Sequence, residues 1–120
     1  SFFATDPLSD HPLNERGFVN SFRAFGKGGT AVAPFNLGRT ATHEIGHFFG
    51  LNHIWGPNNC DNNQSCADDD GVNDTPVQFK CNFGAPRADS VITDQCQAAA
   101  PGIMWMNYMD YVDDRAMVMY

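Results

Sequence analysis

The stretch of residues 56–103 constrains the fold more than any other feature, because it is long and has little apolar periodicity. It is rich in Asn, Asp and Gly, as in Pro57-Asn58-Asn59, Asp61-Asn62-Asn63 and Asp68-Asp69-Asp70-Gly71. An irregular segment of this length is uncommon in a compact domain unless it is cross-linked or bound to an ion. We therefore expect covalent or ionic cross-links in this part of the chain.

All four cysteines of the chain lie in this polar stretch, at Cys60, Cys66, Cys81 and Cys96. No two of them are spaced as C-x-x-C, which disfavours a zinc ribbon or a thioredoxin motif. An even number in a short, Asn- and Gly-rich chain predicts two disulfides and an oxidising compartment, with three pairings possible. Four free buried thiols are the alternative, and they fit less well because buried thiols usually lie in apolar sequence.

The 120 residues are enough for one domain and too few for two. With 42% apolar residues the chain can bury a modest core, and no apolar run reaches the roughly 18 residues of a membrane-spanning helix. A net charge of −7 makes nucleic acid a poor candidate partner. Because the chain begins at Ser1 and ends in an apolar stretch, we expect both ends to be cut from a longer domain.

Sequence patterns predict two extended segments and one helix. Residues 17–25 alternate loosely between apolar and polar and suit a strand, and residues 30–34 suit a second extended piece. Residues 39–50 are predicted to be helical, with Gly50 as the C-terminal stop. One apolar face of this helix would anchor it to a core, through Ala41, Ile45, Phe48 and Phe49.

Two histidines on the predicted helix are spaced to share a metal ion. His43 and His47 are four positions apart, so both imidazoles project from one helix face. Gly50 permits a sharp turn after the helix, which lets His53 return as a third nitrogen ligand. Three neutral histidines on Zn²⁺ leave a fourth position for water, which is the open geometry of a catalytic site.

Glu44 directly follows the first histidine, so its carboxylate can reach a zinc-bound water without binding the metal itself. The expected mechanism is that Glu44 takes a proton from this water, whose pKa the zinc lowers, and that the hydroxide attacks a peptide carbonyl. Glu44 then passes the proton to the leaving amine. Two plainer interpretations are surface histidines on an ordinary helix and a structural zinc with an incidental glutamate.

The pattern H-E-x-x-H-x-x-G-x-x-H at residues 43–53 resembles the metzincin signature. The finer similarity is to the pappalysin family of metzincins, in particular its bacterial ulilysin-like members. The segments that carry this similarity are Gly38–Thr42, His53–Gly56, Asp70–Pro76 and Asn107–Tyr111.

The resemblance implies an α+β fold, namely a metzincin-like catalytic domain truncated at both ends. It would contain a mixed sheet, an active-site helix and a loop-rich C-terminal subdomain. Residues 1–55 would be the end of the upper subdomain with the active-site helix, and residues 56–120 the lower subdomain with the methionine turn. The implied activity is that of a secreted, extracellular zinc endopeptidase acting on protein or peptide substrates.

The resemblance also gives roles to residues outside the helix. Met109 would be the methionine of the turn beneath the three histidines, and Tyr111 would stabilise the oxyanion of the tetrahedral intermediate. An ordinary core methionine and a packed aromatic ring are the alternatives. Calcium is implied in the acidic loop, with Asp70, Asp74 and Thr75 as ligands, and a solvated acidic loop is the alternative.

Two departures from the family pattern affect the disulfides and the specificity. Relatives often carry a cysteine soon after the methionine turn, and none is present here. If Cys66–Cys96 is the bridge that matches the family, Cys60–Cys81 is the second pair. Relatives that cleave before Arg or Lys use an acidic residue where this chain has Arg115, so we expect neutral or acidic P1′ residues to be preferred.

Two other functional classes compete with the protease. One is a metzincin-like fragment that binds metals without turnover and acts as a binding module. The other is a calcium-stapled adhesion domain, for which three histidines have no use. The retained Glu44 favours catalysis, because a binding module has no need of a proton acceptor there.

Overall fold

The computed structural model describes residues 3–4, 12–57, 60 and 65–119. Contacts divide the chain into two compact units, Ser1–Leu51 and Asn52–Tyr120, and each is described by itself. This division falls just before the boundary that the family resemblance implies after residue 55. Among the described residues, no helix is both long enough and apolar enough to cross a membrane.

The first unit contains a two-stranded antiparallel sheet and one α-helix. Strand β1 (Phe3–Ala4) pairs with β2 (Phe18–Val19), and Phe3 lies opposite Val19. Helix α1 (Arg39–Phe48) contacts both strands. The described residues of this unit also include short 3-10 helices at Leu13–Glu15 and Phe22–Ala24. Within the described part of the chain, the mixed sheet expected from the family resemblance is therefore reduced to this single antiparallel pair.

Both extended predictions for the first unit need correction. The strand predicted over residues 17–25 is limited to β2, because Ser21 Oγ accepts a hydrogen bond from Arg23 N–H (3.3 Å) and starts the 3-10 helix that follows. The extended piece predicted at residues 30–34 is instead part of a turn. It is closed by a hydrogen bond from Phe35 N–H to Val32 O (3.0 Å). Local side-chain and turn hydrogen bonds replace ladder pairing here.

Helix α1 has the predicted position, and its C-terminus has a specific geometry. Gly50 adopts φ 87°, and its N–H donates to His47 O (2.9 Å), while Leu51 N–H donates to Gly46 O (3.1 Å). These two bonds form a Schellman motif, in which a left-handed residue reverses the chain at the end of a helix. Gly50 therefore ends the helix as predicted and turns the chain directly after the C-cap residue Phe49.

The apolar face predicted to anchor α1 is only partly correct, because Ala41 is buried and Phe48 is half-buried but the other two residues are exposed. Ile45 is 37% exposed and Phe49 is 71% exposed. The buried helical positions are Ala41, His43, Glu44 and Gly46. The periodicity identifies a stripe of apolar side chains but not which side of the helix is covered. The covered side combines small residues with two polar residues of the candidate site.

The described residues of the second unit are almost entirely irregular, as the sequence predicts for residues 56–103. The helical segment among its described residues is the 3-10 turn Asp114–Ala116. Its buried residues form two small clusters rather than one layered core. The larger cluster contains Ile103, Trp105, Tyr108, Val112, Ala116 and Met117, and the smaller one contains Ile54, Trp55 and Cys81.

Two disulfides cross-link this irregular unit. Cys60 is bonded to Cys81 and Cys66 to Cys96, which are the pairs that the family resemblance implies. They close loops with sequence separations of 21 and 30 residues. Covalent cross-links thus take the place of the extended hydrogen-bond networks that helices and sheets provide.

Gly102 is expected to be the glycine least tolerant of substitution in the second unit. It has φ +80°, and a Cβ atom there would collide with the carbonyl oxygen of Ile92, which accepts a bond from Ile103 N–H (2.8 Å). We expect Gly102→Ala to lower the free energy of unfolding by about 2–4 kcal/mol. Urea denaturation measures this change.

Gly84 provides the matched control for that substitution. It has a similar φ of +76°, but nothing lies within 4 Å of an added Cβ. Gly84→Ala should therefore cost only the left-handed backbone strain, about 1–2 kcal/mol. Equal losses in the two variants would show that backbone strain alone matters and that the close approach to Ile92 does not.

Candidate metal centre

Helix α1 brings His43 and His47 together. Their Nε2 atoms are 3.1 Å apart, and the two rings meet at 89° with centroids 4.6 Å apart. Two nitrogen ligands of one tetrahedral zinc, each about 2.0–2.1 Å from the ion, lie about 3.3–3.4 Å apart. The spacing of the two ring nitrogens is therefore close to the spacing that a shared zinc requires.

A hydrogen bond that the sequence does not reveal decides which ring nitrogen of His47 carries the proton. Its Nδ1–H donates to the carbonyl oxygen of Leu51 (2.7 Å), which can only accept. The proton is therefore on Nδ1, and the lone pair of a neutral ring is on Nε2, the atom that faces His43. Burial also lowers the pKa of His47, although the bond to Leu51 opposes this shift. Both the hydrogen bond and the burial thus prepare Nε2 as a metal ligand.

His53 follows the Schellman turn closely in sequence. One ring nitrogen from each of His43, His47 and His53 lies within 4.8 Å of the others. The His53 ring stacks on Trp55, with centroids 4.4 Å apart and ring planes 8° from parallel. Trp55 is only 1% exposed, so the indole gives His53 a fixed surface to lie against.

Glu44 is buried beside the first histidine, with 5% of its surface exposed. Burial raises the pKa of its carboxyl group to about 7, because a carboxylate loses hydration when it is covered. A group with such a pKa can both accept and release a proton near neutral pH. The position and environment of Glu44 suit a general base.

The predicted methionine turn is a buried turn near His53 in the second unit. Met109 is 4% exposed, and its N–H donates to Asn107 Oδ1 (2.7 Å). The carbonyl oxygen of Met109 accepts from Ile54 N–H (3.3 Å), the residue that follows His53. The turn is thus joined to the segment of the third histidine through the main chain.

Tyr111 packs against that same segment. Its ring meets His53 at 77° and Trp55 at 71°, with centroids 4.8 Å apart in both cases. The residue is 38% exposed. A partly exposed phenol beside a candidate zinc ligand can contact both solvent and a bound substrate.

Asp110, between Met109 and Tyr111, is a second residue that the sequence analysis missed. It is fully buried, at 0% exposure. Burial raises the pKa of its carboxyl group to about 6, while hydrogen bonds from Asn82, Gln78 and Tyr111 oppose the shift. The sequence carries no direct signal for this, because Asp110 could equally be an exposed turn residue. Its partners lie 28 and 32 residues away in the chain.

The acidic loop brings two of the three predicted calcium ligands together. Thr75 Oγ1 lies 2.9 and 2.8 Å from the two carboxylate oxygens of Asp70 and 2.9 Å from Val72 O. Asp70 is 8% exposed, and burial raises its pKa. Asp74 is exposed. Among the described residues, the group of three or more His, Cys, Asp or Glu side chains close enough to hold one metal ion is that of the three histidines, and it does not include the acidic loop.

The candidate metal centre has the features of the metzincin signature. They are two histidines on a helix, a third histidine after a glycine turn, a buried glutamate and a buried methionine turn. The family model Peptidase_M43, described as pregnancy-associated plasma protein-A, matches residues 28–120. The chain therefore belongs to this metallopeptidase family, and the resemblance to the pappalysins is confirmed.

Individual relatives agree with this family. An extracellular metalloprotease of Arthroderma benhamiae is 40% identical over 89 residues, which cover 74% of this chain and 29% of the relative. One of Pyricularia oryzae is 42% identical over 87 residues, or 72% of this chain and 27% of the relative. This chain thus spans less than a third of the length of these two proteases.

Solved structures give the same result. Mature mirolysin of Tannerella forsythia, in complex with a cleaved peptide, superposes with a TM-score of 0.87 at 40% identity. The match covers 99% of this chain and 42% of mirolysin. A mirolysin complex with a small compound gives a TM-score of 0.88 at 41% identity. The fold is therefore that of part of the mirolysin metzincin domain.

Proposed function

We propose that this chain carries the zinc centre of a secreted endopeptidase that hydrolyses peptide bonds in proteins or peptides. The observation that carries the proposal is the pair of Nε2 atoms 3.1 Å apart next to the buried Glu44. The family and its extracellular relatives support it, as does the cleaved peptide bound to mirolysin. Secretion is supported further by the two disulfides, which persist in oxidising compartments.

The three histidines fit a zinc ion. His43, His47 and His53 would hold it, and the His47 ring is already in the tautomer that a ligand at Nε2 needs. When bound, zinc supplies Lewis acidity that polarises a carbonyl group and lowers the pKa of water. The chemistry of proton transfer is then left to the side chains of the protein.

Glu44 would move the proton. Its carboxylate accepts a proton from the attacking water and delivers it to the nitrogen of the leaving amine. A pKa of about 7, raised by burial, suits both transfers at neutral pH. Without the second transfer the amine would leave as a poor, anionic leaving group.

Tyr111 would donate its phenol O–H to the negative charge that develops on the substrate oxygen. Packing of the ring against His53 and Trp55 supports this role, because it holds the phenol beside a candidate zinc ligand. Met109 would provide the apolar support beneath the histidines. Its carbonyl contact with Ile54 supports this role, because it joins the turn to the third ligand.

Metal analysis combined with an activity assay tests the proposal. The purified protein should contain zinc and cleave an unfolded protein substrate, and a chelator should abolish cleavage until zinc is restored. Cleavage that survives complete zinc removal would contradict the mechanism. Zinc binding without any cleavage would favour a metal-binding module instead.

We also propose calcium binding in the acidic loop, a proposal that rests on the residue pattern and the family resemblance. Oxygen atoms of Asp70, Thr75 and Val72 already converge there, and the exposed Asp74 would have to turn inward to join them. Calcium at one hundred times its Kd should stabilise the fold by about 2.7 kcal/mol.

Thermal unfolding with and without calcium measures this effect. The midpoint should rise in the wild-type protein and stay constant in Asp70→Asn, which removes the buried charge. Asp89→Asn, at an exposed aspartate paired with Arg87, is the matched control and should respond like the wild type. An unchanged wild-type midpoint would leave the loop as an ordinary solvated loop.

We propose that Arg115 influences which side chain is preferred at P1′. P1′ is the substrate residue on the amine side of the cleaved bond. Arg115 is exposed on the 3-10 turn that follows the methionine turn. A guanidinium there repels an incoming Arg or Lys side chain. Cleavage profiles of a peptide library should favour neutral or acidic P1′ residues, and Arg115→Glu should increase cleavage before Arg by about tenfold. A wild-type profile dominated by Arg at P1′ would contradict this.

A further inference from the structure

We propose that Asp110 is a positioning residue, whose buried carboxylate fixes the turn at residues 109–111 so that Tyr111 stays packed against His53. The inference deepens the proposed function, because it concerns how the oxyanion donor of that site is held. Asp110 itself would touch neither substrate nor metal.

The carboxylate of Asp110 links two segments that are far apart in sequence. Its Oδ1 accepts from Asn82 N–H (2.8 Å) and from Tyr111 N–H (2.7 Å). Its Oδ2 accepts from Asn82 Nδ2 (2.8 Å) and from Gln78 Nε2 (2.9 Å). One side chain thus fastens the main chain of Tyr111 to residues 78–82.

Residues 78–82 are suited to act as a fixed support. Gln78 is fully buried, and its Nε2 also donates to Lys80 O (2.7 Å), so both amide hydrogens are used. Its Oε1 is buried without a hydrogen-bond partner in the described part of the chain. A buried oxygen without a partner lowers stability. The stabilising contribution of the Gln78 amide therefore comes from the two hydrogen bonds that its Nε2 donates. Cys81, disulfide-bonded to Cys60, anchors the same segment covalently.

The turn contacts the third-histidine segment on its other side. Ile54 N–H donates to Met109 O, and the Tyr111 ring lies 4.8 Å from both His53 and Trp55. Asp110 therefore lies between a cross-linked support and the aromatic contact of a candidate ligand. If its hydrogen bonds are lost, the main chain of Tyr111 is no longer held in place, and the ring is free to move away from His53.

A carboxylate is the group that these partners require. All four contacts come from N–H donors, and an ionised carboxylate has about four acceptor sites and no hydrogen. An asparagine offers acceptor sites on one atom only, and its NH₂ group would face the donors of Gln78 and Asn82. Asp110→Asn preserves size and burial, so it tests the hydrogen-bond pattern rather than the packing.

The first test is NMR of the tyrosine rings, which does not depend on activity. Ring protons of Tyr111 should be shifted by the neighbouring His53 and Trp55 rings, and Tyr111→Phe identifies its signals among the three tyrosines. In Asp110→Asn these signals should move towards the values of an unfolded chain. Signals of Tyr108, in the larger apolar cluster, should stay in place. Unchanged Tyr111 signals in folded Asp110→Asn would overturn the inference.

A milder variant keeps the test decisive if Asp110→Asn does not fold. Asn82→Ala removes the Nδ2 bond and keeps the main-chain bond of residue 82, so a smaller displacement of Tyr111 is expected. Asn14→Ala, at an exposed asparagine in the first unit, is the control and should leave Tyr111 unaffected. A folded Asn82→Ala protein with wild-type Tyr111 signals would count against the inference.

Kinetics then relate the positioning to catalysis. Asp110→Asn should lower kcat by about tenfold or more with little change in KM, because the phenol of Tyr111 would act on charge that develops only in the transition state. In a Tyr111→Phe background the same substitution should cause little further loss, because both changes affect one donor. Additive losses would overturn the inference. An inactive wild-type protein would contradict the proposed function. The NMR comparison would still show whether Asp110 holds Tyr111 against His53.

Discussion

Glu44→Gln is expected to lower kcat/KM for peptide hydrolysis by about 10²–10⁴-fold and to leave the zinc content unchanged. Glutamine has the size and shape of glutamate but cannot take a proton from water or pass one to the leaving amine. Glu44 is buried beside His43, so a similar side chain is also needed to keep the helix packed. Steady-state kinetics on a peptide substrate and metal analysis of the same sample measure both effects.

Glu15→Gln is the matched control for this prediction. Glu15 lies in an exposed 3-10 helix of the same unit, and its replacement should change neither rate nor metal content. Equal rates for wild type and Glu44→Gln would exclude Glu44 as the proton acceptor. Loss of zinc in Glu44→Gln would indicate that the residue supports the ligands rather than the reaction.

Removing the Cys66–Cys96 disulfide, by Cys66→Ala with Cys96→Ala, is expected to lower the free energy of unfolding by about 3.5 kcal/mol. The bond closes a loop with a sequence separation of 30 residues, so it restricts many conformations of the unfolded chain. The loss is large for the second unit, because its described residues include one short 3-10 helix and two small apolar clusters. Guanidinium denaturation measures the change.

Reduction gives an independent check of that effect. Wild-type protein in reductant should lose at least as much stability as the double variant, since both disulfides open. Removing only Cys60–Cys81, whose separation is 21 residues, should cost about 3 kcal/mol. A double variant that unfolds at the wild-type denaturant concentration would mean that the loop is ordered without its cross-link.

Local sequence signals predicted the helix and the close approach of its two histidines well. The spacing of His43 and His47 and the stop at Gly50 depend on helix geometry and on the conformational freedom of glycine, which act within a few residues. The side of α1 that is buried could not be predicted this way. Which face is covered depends on distant segments, and here it carries His43 and Glu44 while Phe49 is exposed.

The second unit was predictable only as an irregular, cross-linked segment. Its architecture depends on contacts between residues far apart in sequence, such as Asp110 with Gln78 across 32 residues. Such contacts leave no periodic trace in the sequence. The same holds for the short strand β2, since Ser21 diverts the chain into a 3-10 turn that alternation does not reveal.

The hydrogen bond from His47 to the carbonyl of Leu51 has a consequence for mutagenesis. The acceptor belongs to the peptide group, so replacing the leucine side chain would leave it in place, and an alanine scan would score residue 51 as unimportant. A change in the path of the backbone after Gly50 would instead move this carbonyl oxygen away from His47 Nδ1, although it alters no side chain of the candidate metal centre.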